Sequence, residues 1–200
     1  MTAFFDTFEG WDVYAAKAAN RPPRPLLVNA LTLTSARQSA IDLGAGALTD
    51  TRYLLDQGFA QVIALDLAAH AQATADSFPP DRFTYAIASF EDFLFPEEAY
   101  DVINAHYALP FIHPDAFDRV FVAILGALKP GGLLVGQLFG DQDSWAGTPG
   151  MSFHSESAAR ALLSGHELLR FDVENEPDSH TLSGKSKHWH AFHLIVRRPA

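Results

Sequence analysis

Short apolar runs alternate with amphipathic segments along much of the chain, and this alternation predicts strands and helices in turn. The clearest unit occupies residues 39–67: an apolar run at 39–43, a glycine turn, a helical segment at 47–57 closed by Gly58, and a second apolar run at 61–67. Apolar runs without polar alternation are typical of parallel strands that are covered on both faces. The unit therefore predicts a strand, a crossover helix and a parallel neighbouring strand.

The same reasoning divides the rest of the chain into elements. Pro79 and Pro80 end one helical segment, and Gly165 closes another. The predicted elements are a short helix at 25–33, a helix at 68–78, strands at 83–88 and 100–106, a helix at 113–128, a strand at 133–140, a helix at 155–164 and an antiparallel hairpin at 166–175 and 188–198, whose connector 176–187 is expected to be exposed and flexible. Alternating strands and helices predict one α/β domain.

The first 20 residues are aromatic and amphipathic. Phe4, Phe8, Trp11 and Ala15 recur at helical spacing, with Tyr14 beside them. Two interpretations stay open: a helix that packs its rings on the sheet, or a lid that closes over a ligand and contributes Tyr14 to a substrate pocket. The RPPRP segment that follows indicates a stiff connector.

The glycine turn after the first strand carries the strongest chemical signal. Gly44 and Gly46, with Ala45 between them, let a ligand approach the backbone closely, and the helix that follows offers unpaired N–H groups and a partial positive charge. Asp66 ends the second strand 20 residues beyond Gly46, at the spacing where a carboxylate accepts both hydroxyls of an adenosine ribose. The pattern predicts a nucleoside ligand.

Three details favour S-adenosylmethionine over a dinucleotide. Asp42 lies two residues before Gly44, where a carboxylate repels a pyrophosphate but suits the amino group of a methionine tail. The third glycine of a G-x-G-x-x-G pattern would fall at Thr49 and is missing, and residues 128–132 read LKPGG. With these residues the chain resembles the class I S-adenosylmethionine-dependent methyltransferases, whose first motif has the form acid-x-Gly-x-Gly, and among them the small bacterial tellurite-resistance-type enzymes.

The resemblance spans residues 39–140 and implies a fold, a cofactor and a division of the chain. The implied fold is a Rossmann-like α/β fold with a mostly parallel seven-stranded sheet in the order 3-2-1-4-5-7-6, its last strand antiparallel and helices on both faces. The implied cofactor is S-adenosyl-L-methionine, held by a core at 35–140, with docking or lid helices at 1–34 and a substrate loop, helix and hairpin at 141–200. One departure is Leu48, where the family often has a third glycine.

The resemblance also assigns roles to individual residues. Ser89 and Phe90 would edge the adenine at the end of the third strand, with Leu67 beside the ribose-binding acid. Backbone carbonyls at 104–106 would meet the methionine amino group. The predicted cofactor-binding residues are Asp42, Gly44, Ala45, Gly46, Asp66, Leu67, Ser89, Phe90, Asn104 and Ala105.

His106 and Tyr107 follow the fourth strand at the switch point of the sheet, beside the methyl group to be transferred. His106 is the predicted general base or substrate contact, because imidazole titrates near neutral pH, and a structural role is its alternative. Trp145 lies in a glycine- and proline-rich loop that either covers substrate or is a solvated connector. The predicted catalytic residues are His106 and Tyr107, and the predicted substrate contacts are Tyr14, His106 and Trp145.

Composition narrows the partners. The 200 residues include 14 basic and 24 acidic ones, and the formal charge of −10 disfavours a nucleic-acid substrate. Cysteine is absent, and His188 and His190 share a strand face without a third ligand, so no metal site is predicted. No apolar run reaches the roughly 18 residues of a membrane span, and we expect a cytoplasmic protein.

The predicted function is methyl transfer to a small-molecule acceptor by in-line displacement. Positioning of the acceptor would supply most of the catalysis, and a soft acceptor such as a thiol needs little base. Two alternatives stay open on the sequence. One is an NAD-dependent oxidoreductase on a similar sheet, and the other is a noncatalytic module that binds S-adenosylmethionine.

Overall fold

The computed structural model describes residues 18–19, 21–67, 69, 71–181 and 184–200. Most of the aromatic N-terminal segment, including Tyr14, lies outside these residues, so its two interpretations stay predictions. The strands are β1 (Ser39–Leu43), β2 (Gln61–Asp66), β3 (Phe83–Ile87), β4 (Tyr100–Ala105), β5 (Leu128–Gly140), β6 (Phe153–His154), β7 (Glu167–His180) and β8 (Ser186–Arg197). The helices are α1 (Pro25–Thr32), α2 (Thr49–Asp56), α3 (Gln72–Ala75), α4 (Pro114–Gly126) and α5 (Glu156–Leu162), with a 3₁₀ turn at Leu109–Phe111.

The strands form one sheet in the order β3-β2-β1-β4-β5-β8-β7. Strands β1 to β5 pair in parallel, whereas β8 runs antiparallel to both of its neighbours. This confirms the predicted order, because β7 and β8 are the sixth and seventh strands of the prediction. The structure adds one strand that is not predicted, β6, whose two residues pair with the end of β5. Two residues are too few to leave a hydrophobic period in the sequence.

Strand β5 begins earlier than predicted. The LKPGG segment at 128–132 is predicted as a connector, but Leu128 already pairs with Tyr100 before the register shifts. Helix α4 accordingly ends at Gly126. An ideal Cβ on Gly132 would lie 2.9 Å from the carbonyl oxygen of Tyr100, so this glycine permits the close approach of the two strands.

Helix α3 is shorter than the predicted segment at 68–78. Among the described residues of that segment, only Gln72–Ala75 is helical. The hydroxyl of Ser77 donates to the carbonyl oxygen of Thr74 at 2.6 Å. Local side-chain bonds of this kind compete with continuation of the helix, which explains its early end.

The C-terminal hairpin is longer than predicted. Pairing of β7 with β8 continues as far as His180 opposite Ser186, so the expectation of a flexible connector over 176–187 is wrong. Beyond Glu176, β7 is mostly exposed. A strand that is solvated on both faces lacks the apolar alternation by which a strand is recognised in sequence.

Two hydrophobic clusters cover the two faces of the sheet. Apolar residues of β1 and β4 enter both clusters, which explains why neither strand alternates cleanly between apolar and polar positions. One cluster includes Ile41, Ile103, Leu134, Phe117, Phe121 and Phe192, and the other includes Leu27, Ala40, Leu54, Val62, Val102 and Val135. Because β1, β2 and β4 are parallel, their carboxyl ends meet at one edge of the sheet.

Gly140, the last residue of β5, packs against His190, and an ideal Cβ on Gly140 would overlap the imidazole ring. We expect Gly140→Ala to lower the free energy of unfolding by about 1 to 3 kcal/mol, the usual cost of adding atoms to a packed site. Urea denaturation measures the change. Gly126→Ala is the matched control, because a Cβ there meets nothing within 4 Å, and we expect it to be neutral or slightly stabilising. Equal stability of Gly140→Ala and wild type would mean that the His190 ring moves aside without cost.

Candidate active site

The glycine turn after β1 is closed by hydrogen bonds to β2. Gly44 has a φ of 65°, and its N–H donates to the carbonyl oxygen of Leu65 at 2.8 Å. An ideal Cβ on Gly44 would lie 2.8 Å from the Cβ of Ala108, so no larger residue fits without movement. The N–H of Gly46 donates to Oδ2 of Asp66 at 2.7 Å. The turn and the acid at the end of β2 are therefore in direct contact, as their spacing predicts.

Leu48 occupies the position where the resembled family often has a third glycine. Its φ is 62°, a left-handed conformation that costs a non-glycine residue roughly 1–2 kcal/mol. The N–H of Leu48 donates to the carbonyl oxygen of Ala45 at 2.9 Å, and the Leu48 side chain is fully buried. Burial of a leucine side chain contributes about 1.5–3 kcal/mol, which offsets the strain. The backbone therefore keeps the turn that a glycine would make.

Asp42 is a buried carboxyl group at the end of β1. Its Oδ1 accepts a hydrogen bond from Nδ2 of Asn104 at 2.7 Å, and its Oδ2 accepts one from the hydroxyl of Thr51 at 2.6 Å. Burial, together with the negative charge of Asp50, raises the pKa of Asp42 to about 7, although the hydrogen bonds from Thr51 and Asn104 oppose the shift. Oδ1 of Asn104 is buried without a hydrogen-bond partner among the described residues. Asp42 is predicted from the sequence and Thr51 is not, and the role predicted for Asn104 is a backbone role rather than a side-chain one.

The connector before α1 is bound to the start of α2. Asp50 accepts two hydrogen bonds from the Arg21 guanidinium, at 3.0 and 2.5 Å, and a third from the backbone N–H of Arg24 at 2.9 Å. Burial by itself would raise the pKa of Asp50, but the Arg21 guanidinium holds that pKa below its ordinary value. The RPPRP segment is thus attached at both of its arginines beside the glycine turn, which the sequence does not reveal.

Three predicted cofactor contacts follow β2 and β3: Leu67 beside the ribose-binding acid, and Ser89 and Phe90 at the adenine. Phe90 is partly buried, and its Cζ would lie 3.8 Å from a Cβ on Gly44. Leu67, directly after β2, is 66% exposed, an unusual position for a leucine. Ser89 donates from its hydroxyl to Oδ2 of Asp92 at 2.8 Å and accepts the Asp92 N–H at 3.1 Å. The Ser89 side chain is therefore engaged in its own turn.

His106 and Tyr107 are connected to the far strands of the sheet by hydrogen bonds. The N–H of Tyr107 donates to Oε1 of Gln137 at 2.9 Å, and Nε2 of Gln137 lies 3.0 Å from Nδ1 of His106 and 3.2 Å from Nδ1 of His193. Nε2 of His193 lies 2.7 Å from Oε2 of Glu174. None of Gln137, His193 and Glu174 is anticipated by the sequence analysis, because no local motif marks them.

The other ring nitrogen of His106, Nε2, is buried and has no hydrogen-bond partner among the described residues. Burial lowers the pKa of His106 to about 4, opposed by the Asp50 carboxylate and reinforced by the Arg24 guanidinium. His106 is therefore neutral at physiological pH. Tyr107 has a φ of 55°, and strained conformations of this kind are concentrated at functional sites.

An aromatic cluster covers the carboxyl end of β5. Trp189 lies between Tyr107 and Trp145, with ring centroids 5.7 Å from each. Under the rings is a buried ion pair of Lys187 and Asp143, with the Lys187 ammonium 4.1 Å from the Trp145 centroid. Burial lowers the pKa of Lys187, although Asp143 opposes the shift. Asp143 and Trp145 thus anchor the loop to the sheet, whereas most of its other residues are exposed, so both interpretations of the loop stay predictions.

The histidines of β8 are bound to neighbouring residues. Nε2 of His188 lies 2.6 Å from Oδ1 of Asn175, and Nδ1 of His190 accepts the N–H of Gln142 at 3.0 Å. In the part of the chain that the structure describes, no group of three histidine and carboxylate side chains is placed to hold a metal ion. The helices of that part are all too short or too polar to cross a membrane.

The structure brings most of the predicted site residues to one edge of the sheet. Asp42 contacts Asn104, Gly46 contacts Asp66, and Trp145 joins Tyr107 through Trp189. Ala105 and His106 complete the end of β4. Tyr14 lies outside the described residues, and the hydroxyl of Ser89 is directed into its own turn.

Comparison with known proteins identifies a methyltransferase domain. Residues 41–136 match the family described as "Methyltransferase domain". No curated protein matches the chain in sequence. A similar solved structure is that of Burkholderia thailandensis 1,6-didemethyltoxoflavin-N1-methyltransferase with bound 1,6-didemethyltoxoflavin and S-adenosylhomocysteine. It is 21% identical, with a TM-score of 0.71 over 98% of this chain and 86% of that one.

Two other solved structures have the same fold. TehB from Haemophilus influenzae is 17% identical, with a TM-score of 0.74 over 95% of this chain and 67% of that one. A Haloferax volcanii chain in complex with the Trm112 methyltransferase activator is 16% identical, with a TM-score of 0.72 over 98% and 97% of the two chains. At such identities the likeness establishes the fold, and the methyltransferase domain is matched over residues 41–136.

The raised pKa of Asp42 predicts how the stability of the ligand-free protein depends on pH. Because the pKa in the folded state exceeds the ordinary value of 3.8, the stabilisation is complete below about pH 4 and is lost as pH rises through about 7. Asp42→Asn removes the charge and keeps an acceptor for Asn104. We expect its stability relative to wild type to improve by about 1 to 3 kcal/mol between about pH 5 and pH 8 in urea denaturation.

Asp56→Asn is the matched control for this measurement, because Asp56 is an exposed residue of α2. Its difference from wild type should stay constant over the same pH range. A constant difference for Asp42→Asn as well would contradict the assignment of a buried carboxyl group that titrates near neutrality.

Proposed function

We propose that this protein, a class I S-adenosylmethionine-dependent methyltransferase, transfers a methyl group to a small-molecule acceptor by in-line displacement. S-adenosylmethionine supplies an electrophilic methyl group bonded to a sulfonium. The observation that carries the proposal is the buried pair of Asp42 and Asn104 beside the Gly44–Gly46 turn. A buried carboxylate with an unpaired amide oxygen next to it suits a primary ammonium group, because each oxygen can accept a charged N–H.

The same edge of the sheet offers contacts for the rest of the cofactor. Asp66 would accept the ribose hydroxyls with the carboxylate oxygen that is not bonded to Gly46. Gly44 and Ala45 would bring the backbone close to the methionine end, since a side chain at Gly44 would collide with Ala108. Exposed Leu67 and partly buried Phe90 would flank the adenine, with Ser89 at its edge.

The acceptor would bind between His106 and the aromatic cluster. Tyr107, Trp145 and Trp189 offer flat apolar surfaces, which favour a small acceptor with an unsaturated or soft group. His106 and Tyr107 would contact it beside the methyl group, and the buried surroundings of His106 would exclude water. Methyl transfer to an anionic acceptor disperses charge, so a dry site favours it.

Two features make a small molecule the preferred class of acceptor. The formal charge of −10 opposes binding of a nucleic-acid backbone. The related Burkholderia enzyme was solved with a small heterocycle, 1,6-didemethyltoxoflavin. The oxidoreductase alternative is disfavoured, because Asp42 would face the pyrophosphate of a dinucleotide and the matched domain is that of a methyltransferase.

Titration calorimetry with S-adenosylhomocysteine and with NAD tests the proposal. We expect S-adenosylhomocysteine to bind and NAD not to bind. Asp66→Ala should weaken S-adenosylhomocysteine binding by about 1 to 3 kcal/mol, because charged hydrogen bonds to the ribose and the support of Gly46 are both lost.

Asp56→Ala is the control for this substitution, because it removes an exposed aspartate of α2 and should leave binding unchanged. Undiminished affinity in Asp66→Ala would mean that the ribose lies elsewhere. NAD binding in place of S-adenosylhomocysteine would overturn the proposed function.

A further inference from the structure

The hydrogen bonds around Gln137 determine which nitrogen of His106 carries the proton. A backbone N–H can only donate, so the Gln137 atom 2.9 Å from the Tyr107 nitrogen is the side-chain oxygen. The other terminal atom of Gln137 is then the NH₂ group, which has two hydrogens to donate. Those hydrogens face Nδ1 of His106 at 3.0 Å and Nδ1 of His193 at 3.2 Å. Both Nδ1 atoms are therefore acceptors.

The assignment of His193 agrees with its second partner. With Nδ1 accepting, neutral His193 carries its hydrogen on Nε2, which lies 2.7 Å from the carboxylate of Glu174. The carboxylate can only accept, so this contact requires the same hydrogen. One arrangement of hydrogens thus satisfies all the hydrogen bonds that connect Glu174, His193, Gln137 and Tyr107.

The opposite arrangement for His106 is less favourable. A hydrogen on Nδ1 would have to be donated to Oε1 of Gln137 at 3.2 Å, and this oxygen already accepts from Tyr107. A hydrogen on Nδ1 would also face the Gln137 NH₂ group, which lies closer to Nδ1, at 3.0 Å. Two donors would then be in contact with each other. The neutral ring therefore carries its hydrogen on Nε2, the buried atom that has no partner among the described residues.

We propose that His106 donates a hydrogen bond from Nε2 to an anionic oxygen of the acceptor, of the phenolate or enolate class, and does not act as a general base. This inference rests on the proposed methyltransferase function. One cation lies near the ring, because the Arg24 guanidinium acts on His106 and lies 5.0 Å from the Tyr107 ring centroid. The Asp50 carboxylate of α2 acts on His106 more strongly than Arg24 and in the opposite sense, and Arg21, which forms an ion pair with Asp50, acts more weakly than either.

The proposed step needs no proton acceptor on the enzyme. The bond from the methyl carbon to sulfur breaks as the acceptor lone pair forms a bond to the same carbon. The sulfonium becomes a neutral sulfide, and the acceptor loses its negative charge, so charge and electrons balance without proton transfer. Gln137, His193 and Glu174 act as positioning residues, because they fix the hydrogen of His106 without touching the substrate.

Nitrogen NMR of the ¹⁵N-histidine-labelled protein, both ligand-free and with S-adenosylhomocysteine, measures the inference directly. Long-range correlation spectra distinguish ring nitrogens with and without hydrogen, and His106→Gln identifies the signals of residue 106. We expect a hydrogen on Nε2 alone between about pH 5.5 and pH 8. A hydrogen on Nδ1, or a doubly protonated ring near neutral pH, would overturn the inference whatever the variants do.

Gln137→Glu tests the positioning role. A carboxylate can only accept, so we expect it to draw a hydrogen onto Nδ1 of His106 and to raise the pKa of that ring. Glu176→Gln is the matched control, because Glu176 is exposed on the same strand as Glu174 and should leave the His106 signals unchanged. If the signals of Gln137→Glu matched those of wild type, Gln137 would not set the tautomer.

Binding of 4-nitrophenol tests the class of acceptor, with neutral 4-nitroanisole as the control probe. We expect the ionised phenol to bind and to shift the Nε2 signal of His106, and 4-nitroanisole to leave it unshifted. His106→Phe should weaken 4-nitrophenolate binding about ten- to a hundredfold, whereas His106→Gln, which keeps an N–H in this region, should weaken it less. Equal losses in both variants, or no effect of the phenolate on Nε2, would overturn the donor role.

Failure of S-adenosylhomocysteine to bind would instead count against the proposed function and leave the tautomer measurement intact.

Discussion

The hydrogen bonds that the buried carboxyl group of Asp42 accepts from Asn104 and Thr51 join β1, β4 and α2 where the parallel strands end. The carboxyl is held where burial disfavours its charge, which raises its pKa to about 7. A cation that binds there would favour the charged form, so ligand binding would relieve a cost that the ligand-free fold carries.

The backbone is strained on both sides of this carboxyl. Gly44 and Leu48 follow β1 with positive φ, and Tyr107 follows β4 with positive φ. Each is held in place by a different element: Gly44 by β2, Leu48 by the core under α2, and Tyr107 by Gln137 of β5. Because separate contacts hold these left-handed residues at one edge, the backbone there is preorganised, and less entropy is lost when a ligand binds.

Most of the fold could be predicted from the sequence because the parallel strands are buried on both faces. Such strands are short, apolar and bounded by glycine or proline, and the glycine turn with Asp42 and Asp66 lies within one local stretch. The errors occur where packing leaves no local pattern. Strand β6 is too short, β7 is solvated beyond Glu176, and the pairing of Leu128 with Tyr100 depends on a distant strand.

The acceptor side of the site could not be predicted, because it depends on strand register. Gln137 lies directly opposite His193 in the pairing of β5 with β8, and a slip of one residue would turn one side chain to the other face of the sheet. Glu174 reaches His193 only because β7 pairs with β8 in turn. Antiparallel strands at the end of the chain therefore orient a histidine that the parallel core supplies. The C-terminal hairpin thus does more than cover the edge of the sheet, since His193 and Glu174 hold the Gln137 side chain that contacts His106.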